Sequence, residues 1–343
     1  MIPKYRKLFN EQFTDKKYQE FKDDIASDFD YEPTFRLGET PFFISTDLKK
    51  QLIEGSNEVI ALIQSEGFKK LTDKSLELNH KVPNEDNHTT FLAIDFGICE
   101  EDGMIIPKLI EVQGFPSLFN YQVNLFNKFK NHYPFLNELT PFITGITQEE
   151  YMQNLEEVIC NKYPKENVIL LEIEPEKQNT KSDFYYCKRD LGIPIVCVTE
   201  LIKKGQKLFY KNEEGNDILV RRIYNRVIFD ELDLRTDLKL NFHFSDDLDV
   251  EWAGHPNWFF RISKFILPFL KGKYFIETTL LSELTEIPED LENYVLKPLF
   301  SFSGSGVIFH VKKEDIEAVV EKELYILQKK VNYLPIVQSP KEK

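Results

Sequence analysis

Apolar residues along the first part of the chain recur at helical spacing. In DLKKQLIEGSNEVIALIQSEGF (47–68), Leu52, Ile53, Val59, Ile60 and Ile63 fall near a 3.6-residue period, and residues 1–75 read mostly as helices. The pattern then changes. TFLAIDFGI (90–98) and MIIPKLIEV (104–112) read as two strands around the acidic Gly turn CEEDG, which predicts a hairpin. NVILLEIEP (167–175) is a continuous apolar run, the pattern of a strand covered on both faces. SDFYYCKRDLGI reads as a short helix ended by Gly192, and IPIVCVT (193–199) as the next buried strand. Strand, helix and strand within one short stretch predict a βαβ unit and a parallel sheet. DILVRRIYNRVI (217–228) reads as one further strand.

Beyond residue 235, HPNWFFRISKFILPFLKG reads as a helix ended by Gly272, with HPNW (255–258) expected either to line the site or to supply Asn257 as the helix N-cap. ENYVLKPLF (292–300) reads as a strand, SFSGSG as a loop, VIFHV (307–311) as the returning strand, KEDIEAVVEKE as a helix and LYILQKKV (324–331) as a last strand. No internal repeat stands out. The expected fold class is α/β with α+β elements.

Composition narrows the function. The formal net charge is −14, and no basic stripe offers a phosphate-gripping surface, so nucleic acid and anionic membrane are excluded as main partners. The runs KNEEGND and FSDDLDVE read as solvated loops. Cys99, Cys160, Cys187 and Cys197 match no zinc spacing and read as buried reduced thiols. The N-terminus carries no apolar leader, and no stretch approaches the ~20 apolar residues of a membrane span. A cytoplasmic protein is expected.

Two segments carry chemistry. In KLIEVQGFPSL, Glu111 and Gln113 are two apart, so on a strand they share a face, and Asp95 on the neighbouring strand adds a second carboxylate. Such an oxygen set suits Mg²⁺ bridging phosphates; the plainer alternative is the polar face of a hairpin. In KPLFSFSGSGVIF, a strand lysine, Lys297, precedes a loop with Gly304 and Gly306. Glycine lets backbone N–H groups close over phosphates, and the lysine supplies a fixed charge. No Lys-Ser or Lys-Thr follows the glycines, so this is not a Walker A loop.

Taken together and in order, these parts resemble the circularly permuted ATP-grasp proteins, in particular the synthetase domain of glutathionylspermidine synthase-like proteins. That family carries an Asp and then a segment like K-L-L-E-x-N-x-D-x-P-T-S-L; this chain reads IDFG and PKLIEVQGFPSL. The family lysine in N-K-x-L-L-P corresponds to Lys264 in ISKFILP, and its x-K-P-x-x-G-x-x-G to LKPLFSFSGSG. The late-strand Gln before L-P corresponds to Gln328 in ILQKKVNYLP. The resemblance implies an ATP-grasp-like fold in permuted order with a parallel βαβ pre-ATP-grasp subdomain. It divides the chain into a helical segment (1–89), an acidic metal-binding hairpin part (90–150), the βαβ subdomain (151–235) and the lysine and glycine-loop nucleotide part (236–343). It implies Mg²⁺ on Asp95, Glu111 and Gln113, and ATP phosphates on Lys264 and Lys297. Ser303, Gly304, Ser305 and Gly306 would cover the triphosphate, and Gln328 would border the adenine.

The chain departs from the family at three places. Ala93 stands where an Arg precedes the metal Asp, Gln113 replaces Asn, and Ser and Phe fill a loop that usually carries Arg and Glu. The amidase domain of the bifunctional relatives has no counterpart. The ATP chemistry is therefore carried over, and the glutathione and spermidine substrates are not. Similar proteins continue beyond the late strand, whereas this chain stops at VQSPKEK, so the nucleotide part is expected to be C-terminally incomplete: a fragment, or a shorter version with impaired catalysis.

In RRIYNR, Arg222 and Arg226 share a face on a single strand and Arg221 takes the other. They are expected either to clamp a substrate carboxylate or acyl phosphate, or to pair with Asp230, Glu231 or Asp233. The expected activity is an ATP-dependent carboxylate–amine ligase acting through an acyl phosphate, its partners small-molecule or peptide acids and amines. The alternatives are a non-catalytic nucleotide- or peptide-binding relative and a small-molecule phosphotransferase.

Overall fold

Four helices open the chain in the computed structural model, which describes residues 2–77, 81–301, 304–335 and 337. They span Pro3–Gln12, Asp15–Ala26, Thr46–Ile63 and Phe68–Glu77. Thr14 and Ser45 start two of them by accepting the N–H of Lys17 and Leu48, donors that otherwise lack a partner in the first turn. Phe9, Phe21 and Ile25 pack with Tyr121 and Phe129 of the helix Phe119–His132 and with Tyr133, which caps its end.

β1 (Ala93–Glu101) and β2 (Met104–Gln113) form the predicted antiparallel hairpin with a tighter turn. Glu101 pairs with Met104, so Cys99, Glu100 and Glu101 belong to the strand. Only Asp102 and Gly103 remain in the turn, both at positive φ, the backbone that suits a two-residue hairpin. The register shifts once: Asp95 faces Glu111, but Phe96 faces Leu109, leaving Ile110 as an extra residue. This bulge lets both Leu109 and Val112 enter the core, while Glu111 and Gln113 turn to the opposite side of β2 from Val112.

The predicted βαβ unit forms. β3 (Val168–Glu172) and β4 (Ile195–Cys197) are parallel and joined by the helix Lys181–Leu191, which Gly192 terminates. An antiparallel meander follows, of β5 (Ile202–Lys204), β6 (Lys207–Lys211) and β7 (Asp217–Val220). β8 (Arg222–Asn225) and β9 (Glu251–Ala253) complete a parallel sheet of order β4-β3-β8-β9. The run 217–228 is therefore two strands in two sheets. The chain crosses between them at Arg221, whose N–H donates to the Asn167 carbonyl. All five residues of β3 are buried, Val168 and Leu170 against one core and Ile169 and Leu171 against another.

The segment 255–272, expected as one helix, breaks. Asn257–Arg261 is a short helix, and Lys264–Phe269 a 3₁₀ turn begun by the Ser263 hydroxyl, which accepts the Phe265 N–H. Pro256, not Asn257, is the N-cap. Asn257 is buried and bonds the backbone N–H and carbonyl of Val82 through its amide. β10 (Thr278–Leu280), β11 (Tyr294–Pro298) and β12 (Tyr325–Lys329) form an antiparallel sheet of order β10-β12-β11. The returning strand expected at 307–311 is reduced to one bridge, Leu296 to Ile308. Among the described residues, no helix is long and apolar enough to cross a membrane.

Candidate functional site

The site begins at the end of β2. Asp95 and Glu111 are directly opposed across the hairpin, and the Gln113 amide donates to Asp95 at 2.9 Å. Burial raises the Asp95 pKa; the Gln113 hydrogen bond opposes that shift and the Glu111 charge adds to it. Two carboxylates held this close favour a cation between them.

Gly114 then brings in a distant segment. Its N–H donates to the Ile262 carbonyl at 2.8 Å. A Cβ at this position would lie 2.3 Å from the Trp258 carbonyl oxygen and 2.7 Å from Ile262 Cβ, so only glycine admits the approach. The contact delivers Lys264 to the hairpin. Its ammonium lies 3.0 Å from Glu111 Oε1 and donates to the Ser301 carbonyl at 2.8 Å. Lys264 is only 5% exposed, which excludes a solvent-facing lysine on an amphipathic helix. Arg261, in the same segment, is buried and bonds Glu85, Asp73, Thr72 and the Lys69 carbonyl.

Lys297 arrives on β11. Its ammonium donates to Gln328 Oε1 at 2.6 Å, and the Gln328 amide donates to Thr278 at 3.0 Å. Burial lowers Lys297 to about 8, against the pull of Glu111 and with the repulsion of Lys264. The three side chains therefore feel one another. Gln328 is buried between Lys297 and Thr278. Gly304 and Gly306 take positive φ, +74 and +70, in an exposed turn with Ser305 between them. Ser303 lies outside the described residues. Glu111, Gln113, Lys264 and Ser301 line a small cavity of roughly 20 Å³, with room for about one water.

The two arginines of the sequence reading separate. Arg222 sits at the start of β8, bonds the Val158 and Ile159 carbonyls and pairs with Glu251 at 3.1 Å. Arg221 pairs with Asp249. Arg226 lies just past the other end of β8. It is 6% exposed, donates to the Pro116 carbonyl at 2.7 Å and stacks on Phe115 at 4.5 Å. Arg226 follows the strand end where the chain, having gone from β3 to β4 on one side, returns to β8 on the other. Crevices outside strand carboxyl ends at such a reversal are where open α/β sheets bind ligands.

The surroundings of that strand end are rich in buried polar atoms that the sequence reading missed. Arg226 Nε, Asn225 Nδ2, Ser117 Oγ and Ser182 Oγ are buried without a hydrogen-bond partner. Buried polar atoms normally find one. Asp183 beside them is fully buried and accepts the N–H groups of Leu118, Asn120 and Tyr121, fixing the start of the helix Phe119–His132. At the end of β3, burial pushes Glu172 up to about 8, against the pull of the Arg226 charge. No periodicity marks these residues; Ser117 lies in GFPS and Asn225 and Arg226 in YNR, while Glu172, Ser182 and Asp183 carry no motif.

Among the described residues, no three His, Cys, Asp or Glu side chains converge on a metal position. Mg²⁺ does not require three: it is commonly held by one or two carboxylates together with substrate phosphates and water. Asp95 and Glu111, with the Gln113 amide beside Asp95, fit that donor set.

No family model matches the chain, and no curated protein matches it. Among solved structures, it is similar to a glutathione synthetase-like effector from Globodera pallida in its apo form, with a TM-score of 0.58 and 14% identity over 94% of this chain and 84% of that one. The likeness is one of fold: a mixed α/β, glutathione synthetase-like architecture.

Proposed function

We propose that this chain is an ATP-dependent carboxylate–amine ligase of permuted ATP-grasp type. The observation that carries the reading is the convergence of Glu111, Lys264 and Lys297 from three separate segments, within electrostatic reach of one another and beside Asp95. A buried lysine and a half-buried one next to two carboxylates make a site for a polyanion with its metal. Asp95, Glu111 and Gln113 would hold Mg²⁺, which when bound supplies positive charge against the bridging phosphate oxygens. Lys264 and Lys297 would hold the phosphates, and the Gly304–Gly306 turn would lie over them.

Arg226 would orient the acid: its buried Nε lacks a partner, and a carboxylate would supply one. The substrate carboxylate oxygen attacks the γ-phosphorus and ADP leaves. The amine nitrogen then attacks the acyl carbon, phosphate leaves and the amine proton passes to solvent. Positioning and fixed charge carry the rate, so the chain needs no nucleophile of its own.

A second reading, a nucleotide- or peptide-binding protein without turnover, is favoured by one feature. Both lysines are already engaged within the protein, Lys264 by Glu111 and Ser301 and Lys297 by Gln328.

The test is calorimetric titration of Mg-ATP into the parent and Lys297→Ala, followed by a screen of acids and amines for ADP release. The ligase reading expects binding in the parent and ADP release with an acid–amine pair. It expects turnover in Lys297→Ala to fall on the order of a hundredfold. Binding without ADP release in any combination supports the second reading. A parent that binds no Mg-ATP sinks the ligase reading and the nucleotide-binding form of the second.

A further inference from the structure

A second cavity lies on the N-terminal side, lined by none of the residues of the nucleotide site. The N-terminal segment, where the Ile2 N–H donates to the Phe43 carbonyl, meets the stretch 41–44, the first turn of the helix Thr46–Ile63 and the segment 136–143. They enclose about 340 Å³, within the range of small-molecule sites (roughly 300–1,000 Å³). Its walls are apolar, with Phe42, Ile44, Phe126, Leu139, Phe142 and Ile143 among them. Phe42 and Ile143 remain 38% and 40% exposed at the rim.

Two polar side chains line the cavity, Thr140 and Lys49. The Thr140 hydroxyl already accepts the Phe142 N–H at 3.1 Å. Lys49 is the one charged residue of the lining and forms no ion pair among the described residues. The lining contains no carboxylate.

This combination selects a ligand by chemistry. A sugar or nucleotide would bring several hydroxyl or amide groups that these walls cannot pair, and each unpaired group costs free energy. A plain hydrocarbon would use the walls and leave the ammonium unmatched. An apolar chain with one anionic head uses both. We propose that this cavity binds a medium-chain aliphatic monocarboxylate, its chain against Phe126, Leu139 and Phe142 and its carboxylate on Lys49.

The test is titration calorimetry of the full chain with decanoate, octanoate, hexanoate and decanol below their aggregation concentrations, repeated with Lys49→Ala and Ile143→Trp. Decanoate is expected to bind, and each methylene removed should weaken binding about fourfold. Decanol should bind more weakly than decanoate. Lys49→Ala should abolish that preference for the acid while leaving decanol unchanged, and Ile143→Trp should weaken both by filling the mouth. The proposal is overturned if the parent binds no carboxylate, if decanol matches decanoate on the parent, or if Lys49→Ala keeps the preference. The parent comparison needs no variant, so a variant that fails to fold does not rescue the idea. Mg-ATP binding is a separate measurement, so its failure and that of the carboxylate are distinguishable.

Discussion

Glu172 is where a single residue sets a property of the molecule. It ends β3, is 5% exposed, and burial raises its carboxyl from 4.5 to about 8. The Ile173 N–H, which it accepts, and the Arg226 charge pull the other way without cancelling the effect. Between pH 4.5 and about 8 the folded state therefore holds a proton that the unfolded state has released. Stability falls as pH rises through that window, and the penalty is complete above it. Glu172→Gln keeps an acceptor for Ile173 and removes the titration. Urea unfolding across pH should show a flatter profile for the variant, which should exceed the parent by roughly 2–4 kcal/mol near about pH 9. Parallel profiles would show that Glu172 is ionised in the fold. Sequence placed Glu172 in an apolar run but gave no sign of its pKa, because desolvation depends on what covers the strand end. Arg226 is the same case: its type and strand were legible, its unsatisfied Nε was not.

At the scale of elements, the decisive contact is the end of β2 against the segment 257–264. The bulge at Ile110 turns Glu111 away from the core, and Gly114 admits the Trp258 carbonyl and Ile262. Lys264 reaches Glu111 only because that approach is made. Gly114→Ala places a methyl where a carbonyl oxygen stands at 2.3 Å, so segment 257–264 must move. The expected result is about 1–3 kcal/mol of destabilisation in chemical unfolding, with Mg-ATP affinity falling further than stability. Unchanged stability would mean that the segment yields without cost. The hairpin, the βαβ unit and the helices of residues 1–75 were legible because each is encoded by local periodicity. The breaks were not. The run 217–228 divides because its halves pair with different sheets, and 255–272 breaks because Ser263 caps a new turn. Neither choice is local.

Over the whole molecule, the parallel sheet, the hairpin core and the β10-β12-β11 sheet meet around the two clusters. Lys264, from the middle segment, accepts no help from its own neighbours; Glu111 and Ser301, from two other segments, hold it. A ligand binding among them ties these parts together. Mg-ATP at about a hundred times its dissociation constant should therefore stabilise the fold by about 2.7 kcal/mol, read as an upward shift of the thermal midpoint that Lys297→Ala loses. No shift in the parent would remove the nucleotide reading. The order of elements, the parallel unit, the paired positions Glu111 and Gln113, and the candidate lysines follow from the sequence itself, since hydrophobic period and motif order are local and additive. The folded structure alone decided that Lys264 is buried on Glu111, that Lys297 is lowered to about 8, and that Arg222 serves Glu251 while Arg226 is buried on the Pro116 carbonyl. Each of these depends on burial and on partners far along the chain, and only packing brings such residues together.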